Sequence, residues 1–216
     1  MNATSAVKLT ELQLDALTEL VNLGVSNAAS SLRQMVREEV ILSVPEVCIV
    51  TREQAIANLG ESAEKSLIAV HQDFEGEIGG RAILIFPEAK SMELVRALVG
   101  AALSVEDITE LEHEALAETG NVLLNSCLAT IADSLHCSLR ISLPEVTRGH
   151  GKDFFSTPPA HEGETVLFIY INFAVQLRDI KGFIAMLLDM PSLAALQRLL
   201  IAYIERATGE SAADHD

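Results

Sequence analysis

Several residue types are scarce or missing in this chain, and each shortage excludes a class of protein. Tryptophan is absent and only seven Phe and two Tyr occur among 216 residues, so Leu, Ile, Val and Ala must form the core. The three cysteines are Cys48, Cys127 and Cys137, and no pair has the spacing of a zinc site. We expect free, buried thiols in a reducing compartment.

Positive charge is also scarce. The chain has 15 basic and 31 acidic residues, and its net charge is -16. A field of this sign repels phosphate backbones, so binding to nucleic acid is not expected. The same field can steer a protein partner that carries a basic patch around its own site.

Long apolar runs are missing as well. No segment of about 18 or more apolar residues occurs, and residues 1–8 lack the apolar stretch of a secretion signal. Apolar residues nevertheless make up 49% of the chain, as in globular proteins. The prediction is a cytoplasmic globular protein without a membrane segment. The six histidines are scattered, so no metal site is predicted.

What the chain does contain is a 13-residue segment that occurs twice, at residues 10–22 and 109–121. Seven of its positions are identical at a constant offset of 99 residues. The identical pairs are Thr10 and Thr109, Glu11 and Glu110, Leu12 and Leu111, Ala16 and Ala115, Leu17 and Leu116, Glu19 and Glu118, and Asn22 and Asn121. An internal duplication therefore organises the sequence.

The duplication continues through the rest of each half. The matching stretches are 43–47 with 142–146, 66–74 with 165–173, 83–86 with 184–187, and 91–99 with 192–200. Their composition predicts three strands followed by a helix, after an initial helix. Consecutive strands joined by short turns favour antiparallel pairing. The predicted fold class is α/β: a duplicated pseudo-twofold unit whose antiparallel sheet carries two long motif-bearing helices.

One shared core is expected for the two halves, because neither could bury its sheet well alone. We predict a single domain over residues 1–207, with repeats at about 10–100 and about 109–207 and a polar tail at 208–216. Residues 149–152 are predicted to open a flexible loop that extends to Pro158 and Pro159.

The two initial helices have N-terminal signatures. Thr10 with Gln13, and Thr109 with Glu112, have the spacing of a capping box. The helices are predicted to run to about residue 37 and to about residue 135.

Each initial helix is apolar nearly all round except for one polar stripe, at 100° per residue. The stripes are Asp15, Glu19, Asn22 and Ser26 in the first helix and Glu114, Glu118, Asn121 and Asn125 in the second. A carboxylate can anchor a Lys or Arg, and a carboxamide can orient a water molecule. The alternatives are a solvated helix face or a polar seam between the two helices. Glu-x-x-Asn is identical in the two copies, whereas a position between the Glu and the Asn differs, with Leu20 in one copy and Thr119 in the other. This selective identity favours a functional constraint on the Glu and the Asn.

The extended pattern Asp15-x3-Glu19-x2-Asn22-x22-Pro45 resembles the signature of the CheC/CheX/FliY family of chemotaxis phosphatases. The second copy, Glu114-x3-Glu118-x2-Asn121-x22-Pro144, has the same spacing. In copy two a Glu replaces the first-position Asp, and its longer side chain can shift a supporting contact.

The resemblance implies hydrolysis of the aspartyl-phosphate on a CheY-type response regulator. Glu19 and Asn22 would form one catalytic site and Glu118 and Asn121 the other, supported by Asp15, Glu114, Pro45 and Pro144. Each Glu would pair with a lysine of the regulator, and each Asn would position the attacking water. The Mg²⁺ would be supplied by the regulator, and the deamidase CheD is a further implied partner. The alternative is a non-catalytic module that regulates CheD or acts as a flagellar-switch adaptor.

Overall fold

The protein consists of one antiparallel sheet with helices on both faces. The structure is a computed structural model that describes residues 8–36, 40–99, 105–155, 165–175 and 178–209. Its helices are α1 (Glu11–Val36), α2 (Arg52–Asn58), α3 (Ser91–Val99), α4 (Val105–Leu135), α5 (Gly151–Phe155) and α6 (Met190–Thr208). Its strands are β1 (Val40–Val50), β2 (Leu67–Gly76), β3 (Gly80–Pro87), β4 (Leu139–Ile141), β5 (Glu145–Gly149), β6 (Thr165–Val175) and β7 (Arg178–Leu188).

The strand order mixes the two halves of the chain. The sheet runs β1-β6-β7-β3-β2-β4, and β5 also pairs with β2. Thus β1, from the first half, pairs with β6, from the second, while β4 and β5 pair with β2 of the first half. Every pairing is antiparallel, and the predicted fold class is confirmed.

Strand residues alternate between two apolar layers. Ile68, Val70 and Phe74 of β2 point into the core formed with α1, α4 and α6. Leu67 and Ala69 point the other way, into a smaller core closed by α2 and α5. Because both faces are covered, the strands are nearly continuous apolar runs, and period-two alternation is hidden.

Two glycines set the distance of α4 from its neighbours. A Cβ on Gly24 of α1 would lie 2.8 Å from the Cα of Cys127 on α4, so the two helices touch backbone to backbone. A Cβ on Gly120 of α4 would overlap the side chain of Val70 on β2. Gly120 therefore lets α4 lie directly on β2.

The helix starts follow the sequence signatures in one copy only. Thr10 and Gln13 form the predicted capping box, with bonds of 2.9 Å and 3.3 Å. The prediction for the second copy is wrong, because α4 already begins at Val105 and Thr109 lies inside it. Glu112 is buried and instead accepts a 2.6 Å hydrogen bond from Ser91 and pairs with Arg148. It ties α3 and β5 to α4.

Other departures from prediction lie outside the central strands. The short helix α2 was not predicted, although Thr51 and Gln54 form a capping box at its start. The flexible loop predicted from residue 149 is wrong at its start, because Gly151–Phe155 is helix α5 and buries both phenylalanines. Residues 156–164, including Pro158 and Pro159, lie outside the described residues. The segment that corresponds to β1 in the second half, 99 residues further along the chain, is divided into the two strands β4 and β5.

All three cysteines are free, and Cys127 and Cys137 are buried as predicted, whereas Cys48 is only half-buried. Among the described helices, none is both long enough and apolar enough to cross a bilayer.

Candidate active sites

The stripe on α1 is open to solvent along its length. Asp15, Glu19, Asn22 and Ser26 are all exposed, whereas Leu17, Leu20 and Val21 point into the core. The contact between α1 and α4 is made on the far side, where Gly24 meets Cys127. The interpretation of this stripe as a seam between the helices is therefore wrong.

Glu19 and Asn22 are available to a partner. Within the described parts of the chain, neither side chain has a hydrogen-bonding or ion-pairing neighbour. Two exposed leucines extend the same surface: Leu12 is 61% exposed and Leu23, next to Asn22, is 50% exposed. The arrangement offers an anion and a carboxamide beside apolar area, a combination suited to docking on another protein.

The stripe on α4 is different. Glu114 and Glu118 are exposed like their counterparts, but Asn121 and Asn125 are half-buried. The Oδ1 atom of Asn121 accepts a 2.8 Å hydrogen bond from the Nδ2 group of Asn125 and a 3.3 Å bond from the Nε2 group of Gln72. The carboxamide of Asn121 is thus held by two other amides.

Gln72 lies beneath this cluster and is 1% exposed. Its Nε2 group also donates to the carbonyl oxygen of Ser142, at 2.8 Å, and lies 3.4 Å from Oδ1 of Asn125. Sequence reasoning missed this residue. The available signal was a single Gln at the end of an apolar run, and it becomes informative only once α4 is placed on β2.

Ser142 is fixed in turn by the backbone of Asp73. The Ser142 N–H group donates to the Asp73 carbonyl oxygen at 2.8 Å, and the Asp73 N–H group donates to Oγ of Ser142 at 2.9 Å. The next residue, Leu143, is 85% exposed. The second site therefore has a rigid floor and an apolar side chain at its edge.

The two supporting prolines occupy different local structures. Pro45 lies within β1, where the register with β6 shifts between Ser43 and Glu46. Pro144 lies between β4 and β5 and is half-buried. Proline lacks the N–H group that a sheet ladder needs, which accounts for an irregularity at both positions.

The strand β2 also carries an ion pair, between Asp73 and Arg81, on the face of the sheet opposite to Gln72. Their side chains make two hydrogen bonds, of 2.6 Å and 3.0 Å. The Arg81 guanidinium lowers the pKa of Asp73, and Asp73 raises that of Arg81. In the described part of the chain, no cluster of three or more His, Cys, Asp or Glu side chains has a metal-binding arrangement.

Comparison with known proteins gives three consistent findings. Residues 12–49 match the CheC-like family. The chain is 29% identical over 140 residues to "CheY-P phosphatase CheC" of Bacillus subtilis, an alignment that spans 63% of this chain and 66% of that protein, just under two thirds of its length.

Two solved structures show the same fold. FliY of Thermotoga maritima superposes with a TM-score of 0.71 at 17% identity, over 93% of this chain and 99% of that one. The CheX of the CheX-CheY-BeF3-Mg+2 complex from Borrelia burgdorferi gives 0.50 at 15% identity, over 77% and 96%. The resemblance to the CheC/CheX/FliY family is confirmed.

Proposed function

We propose that this protein hydrolyses the aspartyl-phosphate of a phosphorylated CheY-type response regulator. The observation that carries the proposal is a pair of Glu-x-x-Asn motifs on the exposed faces of α1 and α4, one inside the segment that matches the CheC-like family. The relative from B. subtilis is named a CheY-P phosphatase, and one neighbour in fold was solved with CheY.

Glu19 and Glu118 are the proposed anchors. Each would pair with a lysine near the phosphorylation site of the regulator, forming a charge-assisted contact. The net charge of -16 would assist by steering a basic surface toward the two helices.

Asn22 and Asn121 are the proposed catalytic groups. Phosphoryl transfer depends mainly on positioning and charge stabilisation, with little covalent chemistry for the protein to perform. A carboxamide beside the phosphoryl group would hold the attacking water in line, and Mg²⁺ bound by the regulator would stabilise the phosphoryl oxygens. Asp15, Glu114, Pro45 and Pro144 are proposed to support these groups. CheD is a further proposed partner.

The test is the decay of a phosphorylated CheY-type regulator in the presence of Mg²⁺, with and without catalytic amounts of the protein. We expect faster decay with the wild type and none with Asn22→Ala/Asn121→Ala. Asn27→Ala is the matched control, since this exposed Asn of α1 lies off the stripe and its side chain donates to Oγ1 of Thr130, at 3.2 Å.

A double variant that hydrolyses at the wild-type rate would refute the assignment. Tight binding of the regulator without faster decay by the wild type would favour the alternative, a non-catalytic module that regulates CheD or acts in the flagellar switch.

A further inference from the structure

The two proposed sites differ at a buried position. The residue 99 positions after Gln72 is Ile171, which is 1% exposed and has no side-chain donor. The counterpart of Asn125 is Ser26, which is exposed. Both amides that hold Asn121 are therefore missing beside Asn22, although the motif itself is kept.

We infer that Gln72 is a positioning residue of the second site, which orients the carboxamide of Asn121 for the reaction. The inference rests on the proposed function, since it assigns a role within that chemistry. Gln72 would not touch the phosphoryl group, because it is buried beneath α4.

The direction of the hydrogen bonds follows from one fixed acceptor. The carbonyl oxygen of Ser142 can only accept, so the Gln72 atom 2.8 Å from it must be the donor Nε2. The same NH₂ group reaches Asn121 at 3.3 Å, so the Asn121 atom there must be the acceptor Oδ1. The orientation of both amides is thus set by a backbone carbonyl.

This chain of bonds decides which half of Asn121 remains available. Oδ1 is occupied by donors from Gln72 and Asn125, while Nδ2 has no partner among the described residues. Asn121 therefore presents an N–H donor, suited to holding an oxygen atom of the attacking water or of the phosphoryl group. Asn22 has no such restraint and must be oriented by the bound regulator.

The buried Gln72 carries an energetic cost. Its Oε1 atom is buried without a hydrogen-bond partner among the described residues, a cost that an apolar residue would avoid. Its two N–H groups lie within hydrogen-bonding distance of three acceptor oxygens, so one N–H group is shared between two of them. Ser142, the anchor, is itself fixed by two bonds to Asp73.

The test isolates each site with a second substitution. In Asn22→Ala, where only the second site works, adding Gln72→Met should lower kcat about tenfold, because Asn121 then keeps only its bond to Asn125 and loses its link to the backbone of Ser142. KM should change little, since Glu118 is untouched. Met has a similar length and cannot donate, and Gln72→Ile, which copies the first site, is the second variant.

The control is Gln72→Met in a variant whose second site is inactive. In Asn121→Ala, Gln72→Met should leave turnover by the first site unchanged. An equal loss in both backgrounds would mean that the substitution acts through the fold, and an unchanged kcat in Asn22→Ala would mean that Gln72 does not position Asn121. Either result overturns the inference.

A measurement on the free protein separates this inference from the proposed function. In ¹⁵N-labelled protein, the side-chain amide signals of Asn121 should move in Gln72→Met while those of Asn22 stay in place. If the wild type hydrolyses nothing, the proposed function fails, and unmoved Asn121 signals would separately refute the link to Gln72.

Discussion

Gly24 and Cys127 bring the two motif-bearing helices into backbone contact: a Cβ on Gly24 would lie 2.8 Å from the Cα of Cys127 and 3.3 Å from the carbonyl oxygen of Ser126. Backbone atoms cannot rotate away as a long side chain can. The separation of α1 and α4, and with it the placement of both stripes, depends on this one missing side chain.

Gly24→Ala should therefore destabilise the protein. The gain in helix propensity is about 1 kcal/mol, whereas overpacking typically costs about 1–3 kcal/mol and here forces two helices apart. We expect a net loss of about 1 kcal/mol in the free energy of unfolding, measured with urea. Ser30→Ala, at an exposed position of the same helix, should be neutral or slightly stabilising; an unchanged Gly24→Ala would show that the helices separate freely.

Removing the charge of Glu118 should weaken docking more than turnover. In Glu19→Gln, where the first site has lost its own proposed anchor, adding Glu118→Gln should raise the Kd for the beryllofluoride-activated regulator about tenfold, since a charge-assisted bond contributes about 1.5–3 kcal/mol. The salt dependence of binding should also decrease. Glu53→Gln is the control, because Glu53 is exposed on α2, across the sheet from the proposed sites. Equal effects of the two substitutions would point to net charge alone.

The pair of Asp73 and Arg81 predicts a dependence of stability on pH. The folded pKa of Asp73 is lowered by Arg81, so the pair stabilises the protein above the unfolded pKa of about 3.9, and this contribution disappears as the pH falls through the folded value. The Asp73 side chain is 59% exposed, which limits the effect to less than about 1 kcal/mol.

Asp73→Asn should accordingly lower the free energy of unfolding near neutral pH, and the difference from wild type should shrink below about pH 4. Glu75→Gln is the matched control, since Glu75 pairs with Arg140 where the side chains are 70% and 85% exposed. A difference for Asp73→Asn that grows on acidification would contradict the assignment.

Cys127 should resist alkylation in the native protein. Burial at the contact between α1 and α4 raises its pKa to about 12, so at about pH 8 only about one thiol in 10⁴ is ionised. With iodoacetamide and mass spectrometry, Cys48 should be modified first because it is only half-buried, and Cys127 only after denaturant is added. Equal rates for Cys48 and Cys127 in the native protein would show that the helices open readily.

Most of the fold could be predicted because the duplication repeats each signal. The offset of 99 residues aligned β2 with β6, and the capping box of Thr10 and Gln13 located the start of α1. The same box at Thr109 was misleading, because Glu112 is used for bonds to Ser91 and Arg148, distant in sequence. Local patterns do not reveal such tertiary demands.

The candidate sites were only partly visible for the same reason. The exposed face of α1 follows from helical periodicity alone, which places Glu19 and Asn22 opposite the core. Gln72 could not be found this way, since it departs from the repeat and gains meaning only where Gly120 brings α4 onto β2. The two amides that distinguish the sites, Gln72 and Asn125, stand at positions that the duplication does not preserve.

The two halves exchange strands. The first strand of the first half, β1, pairs with β6 of the second half, and the first strands of the second half, β4 and β5, pair with β2 of the first half. Neither half can unfold without exposing a strand edge of the other, so the two sites should share one cooperative transition. If the chain were cut between α3 and α4, each fragment would carry the strand that the other needs. Such fragments should reassemble into the intact sheet, and one fragment could complete itself with a second copy of itself.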